Sequence, residues 1–460
     1  MKLTYLVLSF DTEDFESDTD DAILFWANTL RKYGLKGCFC IVGEKARTLI
    51  RRGRRDIVEA LSSHEIDYHS NYHSVHPTHV EVLEGCGWND GVEKILSMEA
   101  SGLLDVETIF NSRPVAYCKP GSSWGPQSAW AMRVLGMPVF CDAPFEFSMG
   151  KPMWYCGQLL IRYHMSFDEF FDSKNRTDEM IQKLSSLCSE VQDGCIVVYT
   201  HPCRLLTTRW TENFRHGKNT PRERWEEAPR RSRGQVESLK RDFEAFISHI
   251  ASRRDIKVIT YSELYEMYRE DPLWLSPEQL VGIAEASSRE VNYQTIGATS
   301  LSPAEILWAI AEALVRIDRD GESTRPIPVL HPLGPTTRPR RSRACYANLR
   351  DVLDAAERCR DQILLEGAVP SSIVIGSRKV GPGSCLRALS GLLVDLSSGR
   401  RPRRIRLPED QPPKIAEEDF FKSLTFKDSW SILPPGFEGR NVVEMARRQA
   451  WTAKPAIRRQ

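Results

Sequence analysis

The chain has no net charge: 62 Lys+Arg balance 62 Asp+Glu over 460 residues. A protein that coats nucleic acid or an anionic membrane needs an excess of cations, so no nucleic-acid partner is expected. No apolar run approaches the ~20 residues of a membrane span, and none is expected. No Cys-x-x-Cys pair occurs among the 12 cysteines, which excludes a cysteine zinc cluster and a thioredoxin-type redox motif. Twelve are also too few for a disulfide scaffold. Cys38 and Cys40 in an apolar run, and Cys195 before Ile-Val-Val, read as buried thiols of a reducing compartment. Met1 to Phe10 runs straight into Asp11-Thr12-Glu13-Asp14, without the apolar run and cleavage site of a signal peptide. A cytoplasmic protein is expected.

What is present is a concentration of histidine. Five of the ten (His64, His69, His73, His76 and His79) fall within 16 residues, where even spacing would put ~0.35. His69 and His73 are four apart, which on a helical turn sets both imidazoles on one side at ligand separation. His76 and His79 could do the same at three apart.

Residues 3–269 alternate strand-like and helix-like segments. Leu3–Phe10 is an apolar strand ending in acids, and Gly37–Gly43 a buried strand. Further strands are expected at Glu65–His69, Val115–Cys118, Pro138–Cys141, Cys195–Thr200 and Lys257–Thr260. Helices are expected at Thr19–Lys32, Gly125–Leu135, Thr177–Glu190 and Gly234–Ile250. Such alternation implies parallel strands with helical crossovers, hence an α/β barrel or doubly wound sheet. These folds carry their active sites at the carboxyl ends of the strands. There Leu3–Phe10 delivers Asp11 and Glu13, on one side of an extended strand. Glu65–His69 delivers imidazoles, and Ile196–Thr200 delivers His201. The Trp-, Pro- and charge-rich segment Arg209–Arg233 is expected as a long surface loop.

This pattern resembles the polysaccharide deacetylases of carbohydrate esterase family 4 over residues 3–269. Ser9-Phe-Asp-Thr-Glu-Asp14 is similar to the family's first motif, and His69-Ser-Asn-Tyr-His-Ser74 to its second. His64-Glu-Ile66, Leu35–Gly43 and His201 match further elements. The resemblance implies a distorted (β/α) barrel and a metal-dependent carbohydrate N-deacetylase. It implies a divalent ion, most simply Zn2+, held by His69, His73 and one acid, with Glu13 preferred and Asp14 the rival. Asp11 would then be the catalytic base and His201 the acid, while His76 and His79 stay on the rim. Lys119, Pro120, Trp124 and Asp142 are the implied substrate-binding residues. One motif departs: Cys118 stands where the family places an Arg beside its catalytic Asp. The same fold and metal would also serve hydrolysis of another C–N amide, such as a cyclic ureide. A non-catalytic glycan-binding protein is the alternative from another class.

Beyond residue 270 the chain changes character. Ser276-Pro-Glu-Gln279 and Ser302-Pro-Ala-Glu305 are helix-start signatures. At an offset of 79, Ile296–Ile317 aligns with Ile375–Leu396 with seven identities, so a mostly α-helical duplicated region is expected. The expected division is 1–270 for the barrel, 271–324 for helical copy 1 and 325–347 for a Pro/Arg-rich linker. Copy 2 takes 348–400, and 401–460 forms an irregular tail. Leu353–Asp361, Val369–Gly376 and Cys385–Leu389 weakly resemble a pseudomurein-binding-type repeat, which implies glycan contact. A homo-oligomer contact is the other role for these repeats.

Overall fold

The computed structural model describes residues 3–16, 18–191, 194–321 and 325–459. Residues 322–324, expected to close the first helical copy, lie outside the described residues, as do the first two. Two compact units form. The first runs through Pro152, resumes over Gln158–Met267 and takes in Thr425–Arg440. The second comprises Met153–Gly157, Tyr268–Leu424 and the chain from Asn441.

In the first unit the strands are β1 (Thr4–Thr12), β2 (Cys38–Ile41), β3 (Glu65–Tyr68), β4 (Ala116–Cys118), β5 (Val139–Cys141), β6 (Gln158–Ile161), β7 (Met165–Ser166), β8 (Cys195–Thr200) and β9 (Ile256–Val258). Their order is β6-β5-β4-β3-β2-β1-β8-β7, with β9 beside the start of β1. These pairings are parallel. The outer strands β6 and β7 do not pair with each other. The expected barrel is therefore a curled, open sheet, a half-barrel. β1 is buried along nearly its whole length, as expected of a parallel strand covered on both faces.

Helices form where apolar spacing predicts them: Asp20–Lys32, Pro126–Val134, Arg176–Glu190 and Arg233–Ser252. Asp20–Lys32 buries Ile23, Trp26, Ala27 and Leu30 on one face. The Trp26 ring meets Phe243 of Arg233–Ser252 with centroids 3.6 Å apart. Thr19, expected as its cap, makes no side-chain cap bond; its hydroxyl is shared between the Asp14 carboxylate and the Glu16 carbonyl instead. Trp88–Phe110 is a 23-residue helix that the apolar pattern does not announce. Its buried face is spaced as a helix requires, but Gly91, Glu99 and Gly102 occupy three of the positions and break the apolar stripe. The glycines are needed there: a Cβ on Gly102 would lie 2.5 Å from the Asn71 side chain.

The second unit holds the helix Pro277–Ser287, the hairpin Gln294–Ile296/Thr299–Leu301 and the helix Pro303–Asp320. It then holds Leu349–Glu366, the hairpin Ile373–Ile375/Arg378–Val380 and Pro382–Ser397. Both Ser-Pro starts form complete capping boxes, Ser276 with Gln279 and Ser302 with Glu305. Their apolar faces share one core that includes Leu307, Leu314, Leu386 and Leu393.

Candidate active site

Parallel register aligns the carboxyl ends of the strands. Thr12 pairs with Ile41, Ile41 with Tyr68, Tyr68 with Tyr117, Cys118 with Cys141, and Phe10 with Thr200. The residues that follow these ends therefore meet at one rim. Asp11, Glu13, His69, His73 and His201 line a single cavity of about 520 Å3.

Glu13 is the hub. Its Oε2 lies 3.0 Å from His69 Nε2 and 2.8 Å from His73 Nε2. The outer nitrogens are held as well: His69 Nδ1 lies 2.7 Å from the Cys118 carbonyl, and His73 Nδ1 2.6 Å from Ser74 Oγ. With Nδ1 donating to a carbonyl, the neutral His69 ring would keep its Nε2 lone pair for a metal ion in the cavity. The expected helical turn is absent from residues 69–73. Ser70 and His73 are both left-handed (φ 66° and 54°), and Ser70 Oγ accepts from the His73 N–H at 2.9 Å. Glu99 anchors this loop from beneath, accepting from Asn71 N at 2.8 Å and Tyr68 OH at 2.7 Å.

Asp11 and His201 flank the hub. His201 Nε2 is 4.0 Å from both Asp11 Oδ2 and Glu13 Oε2. Its Nδ1 lies 2.7 Å from Asp168 Oδ2, so the imidazole is oriented from behind. Burial pushes the His201 pKa down, but the Asp168, Glu13 and Asp11 carboxylates outweigh it and raise it to about 9. Burial raises Asp11 above the usual carboxylate range, against the pull of His69 and His201. Burial acts the same way on Glu13, but His73, His201 and His69 together hold it well below that range. Two carboxylates two residues apart are thus set to different strengths.

The remaining predicted residues are placed as follows. Asp14 lines the cavity but accepts from Glu16 N at 3.1 Å and from the Thr19 hydroxyl. It also lies 3.5 Å from the buried Lys45 ammonium, and the cluster of donors around Glu13 does not include it. Lys119 and Asp142 line the cavity and are paired with each other, so the Lys119 charge is not directed at Asp11. Pro120 and Trp124 do not line it. Trp124 is buried against Phe140, Phe145 and Phe426. His76 bonds Glu81 and the Phe214 carbonyl, and His79 bonds Glu99. Cys40, expected as a buried thiol, is joined to Cys118 in a disulfide beside Asp11.

Other residues of the site carried no sequence signal. Tyr163 OH donates to Asp11 Oδ1 at 2.9 Å and stacks on Tyr199. Asp168 lies in an unremarked Phe-Asp-Glu-Phe run. The Arg209–Arg233 segment is more than a surface loop: Trp210, Phe214, Trp225 and Ala228 form a wall of the cavity. The Trp210 ring stands perpendicular to His201 at 4.4 Å. Trp430 and its neighbours, from the expected tail, form another part of that wall.

No family model matches the sequence, and no curated protein matches it. Solved structures show a distant likeness. A putative polysaccharide deacetylase from Mycobacterium smegmatis is 13% identical with a TM-score of 0.37, covering 58% of this chain and 90% of that one. A family 4 acetyl xylan esterase from Clostridium thermocellum, solved with a cobalt ion, is 14% identical with a TM-score of 0.33, covering 58% and 92%. A CE4-family pseudoenzyme from Bacillus anthracis is 12% identical with a TM-score of 0.33; 57% of this chain spans 65% of its length. What assigns chemistry to the cavity is its own side chains.

Proposed function

We propose that the chain is a metal-dependent hydrolase that removes acetyl from an N-acetylated sugar or glycan precursor. The observation that carries this is the Glu13 carboxylate set between the inward nitrogens of His69 and His73, with Asp11 and His201 beside it. Two imidazoles and a carboxylate, with both outer imidazole nitrogens partnered, fit a divalent ion such as Zn2+. When bound, that ion supplies Lewis acidity toward a carbonyl oxygen and toward water.

The chain's own residues do the rest. Asp11 accepts a proton from the attacking water, and its raised pKa makes it a better base than an exposed carboxylate. Tyr163 fixes the Asp11 carboxylate through Oδ1. His201, protonated in its surround of carboxylates, donates to the departing amine, and Asp168 holds its ring in line. Trp210 and Trp225 line the cavity and supply aromatic surface for a sugar ring. The phenol on Asp11 supports an active hydrolase over a decayed glycan-binding relative, because it supplies a donor where Cys118 supplies none. The helix–hairpin–helix order of the second unit, seen on either side of residues 325–347, supports a tandem duplication. Buried thiols outside the Cys40–Cys118 disulfide, Cys38 and Cys195 among them, support a cytoplasmic location. Among the described residues no helix is long and apolar enough to cross a membrane.

The test is metal analysis of the purified chain with Glu13→Gln and His69→Ala beside it. One equivalent in the wild type and a loss of affinity of tenfold or more in each variant is expected. Equal metal content in all three overturns the assignment.

A further inference from the structure

A segment remote in sequence closes one side of the cavity. Residues 425–440 pack with the first unit, and Phe426 anchors them in its core, its ring 6.0 Å from that of Trp124. The next residues cross the rim as a strap fastened at both ends. At one end Ser122 Oγ donates to the Ser429 carbonyl at 3.1 Å. There the Trp430 ring lies directly on Gly121, where a Cβ would come within 2.3 Å of it. At the other end His216 N and Gly217 N donate to the carbonyls of Ser431 and Ile432 at 3.0 and 2.9 Å. Between these ends Trp430, Ser431 and Ile432 face the cavity. The Trp430 ring stands edge-on to His73 at 5.9 Å, beside the candidate metal ligands.

The adjoining wall is stitched just as firmly. Asn219 exchanges two hydrogen bonds with the backbone of His76, and His76 Nε2 bonds the Phe214 carbonyl. Ala228 N donates to Glu16 at 2.8 Å. A polymer-binding site needs an open groove in which the chain continues past the reacting residue on both sides. Here loops meet and bond along the rim of a cavity of about 520 Å3. Cavities of roughly 300–1,000 Å3 hold one drug-sized molecule.

We propose that the cavity takes the end of a saccharide, one or two rings bearing an N-acyl group, and that Trp430 is the specificity residue that stops a chain from continuing past His73. This rests on the deacetylase reading and deepens it. A free mono- or disaccharide, or the terminal residue of a longer glycan, fits; an internal residue of a polymer does not.

The experiment uses the full metal-loaded chain with N-acetylglucosamine, its β-1,4 dimer and its β-1,4 hexamer. Affinity is read from tryptophan fluorescence, and acetyl loss from the mass of the products. The wild type should bind dimer and hexamer within threefold of each other and remove a single acetyl, from a terminal ring of the hexamer. Trp430→Ala should bind the hexamer at least tenfold better relative to the dimer and remove acetyls from interior rings. The wild-type arm stands without the variant. Affinity rising more than tenfold from dimer to hexamer, or interior deacetylation by the wild type, overturns the proposal and leaves the deacetylase reading standing. Absence of binding to every saccharide by a metal-loaded chain overturns both.

Discussion

Tyr163 reaches across the cavity to donate its phenolic hydrogen to Asp11 Oδ1 at 2.9 Å, while Lys119, the nearest cation in sequence to Cys118, is paired with Asp142. The base is therefore oriented by a neutral donor. Hydrogen bonds to charged groups are worth about 1.5–3 kcal/mol, so Tyr163→Phe should lower kcat roughly ten- to hundredfold with little change in KM. Steady-state acetate release measures it, and an unchanged kcat removes Tyr163 from the account.

Asp168 acts through His201. Its carboxylate leads the charges that raise the imidazole pKa to about 9 against burial. A general acid must be protonated, so activity should fall as pH rises through the pKa of His201. Asp168→Asn removes the closest negative charge and should move that basic limb of the kcat profile downward in pH. A limb that stays in place contradicts the role of His201 as acid.

Glu13 and Asp14 are adjacent in sequence, and only the first converges on the histidines. Asp14 accepts from Thr19 and Glu16 N, beside Lys45. Asp14→Asn should keep the metal and lose some stability. Glu13→Gln should weaken metal binding tenfold or more. Metal titration with thermal melts separates the two, and the reverse order would make Asp14 the ligand.

His64, far from this chemistry, should govern acid stability. Its Nδ1 accepts from Gly37 N at 3.1 Å and its Nε2 bonds the Ala27 carbonyl at 3.0 Å. Burial depresses its pKa from 6.5 to about 4, against the Ala27 bond. The folded form thus holds the neutral ring and the unfolded chain takes up the proton first. This stabilisation is complete above pH 6.5 and is lost as pH falls through about 4. It amounts to on the order of 3 kcal/mol. His64→Gln, which can keep both hydrogen bonds, should flatten urea midpoints over that range. An unflattened profile assigns the acid sensitivity to other groups.

The alternation of strands and helices was legible in the sequence because most of the buried parallel strands are apolar runs and their helices are amphipathic. The convergence of Asp11, Glu13, His69, His73 and His201 was legible as well, since each lies at or just beyond the carboxyl end of a strand-like segment. Trp88–Phe110 was hidden because two glycines and the buried Glu99 interrupt its inner face. Tyr163, Asp168 and Trp430 were hidden for another reason: each acts at long sequence range, and local periodicity carries no information about which loops meet. The open edge between β6 and β7 depends on strand pairing in the same way. The disulfide between Cys40 and Cys118 joins strands that are not neighbours in the sheet, and no spacing rule announces it.

The most direct test of the central claim is acetate release from N-acetylated mono- and disaccharides by the wild type, its metal-stripped form and His69→Ala. The account predicts turnover by the wild type, loss on stripping, recovery on adding a divalent ion, and no recovery in His69→Ala. Turnover that survives both stripping and His69→Ala, or a metal-loaded wild type with no turnover of any N-acetylated sugar, would contradict it.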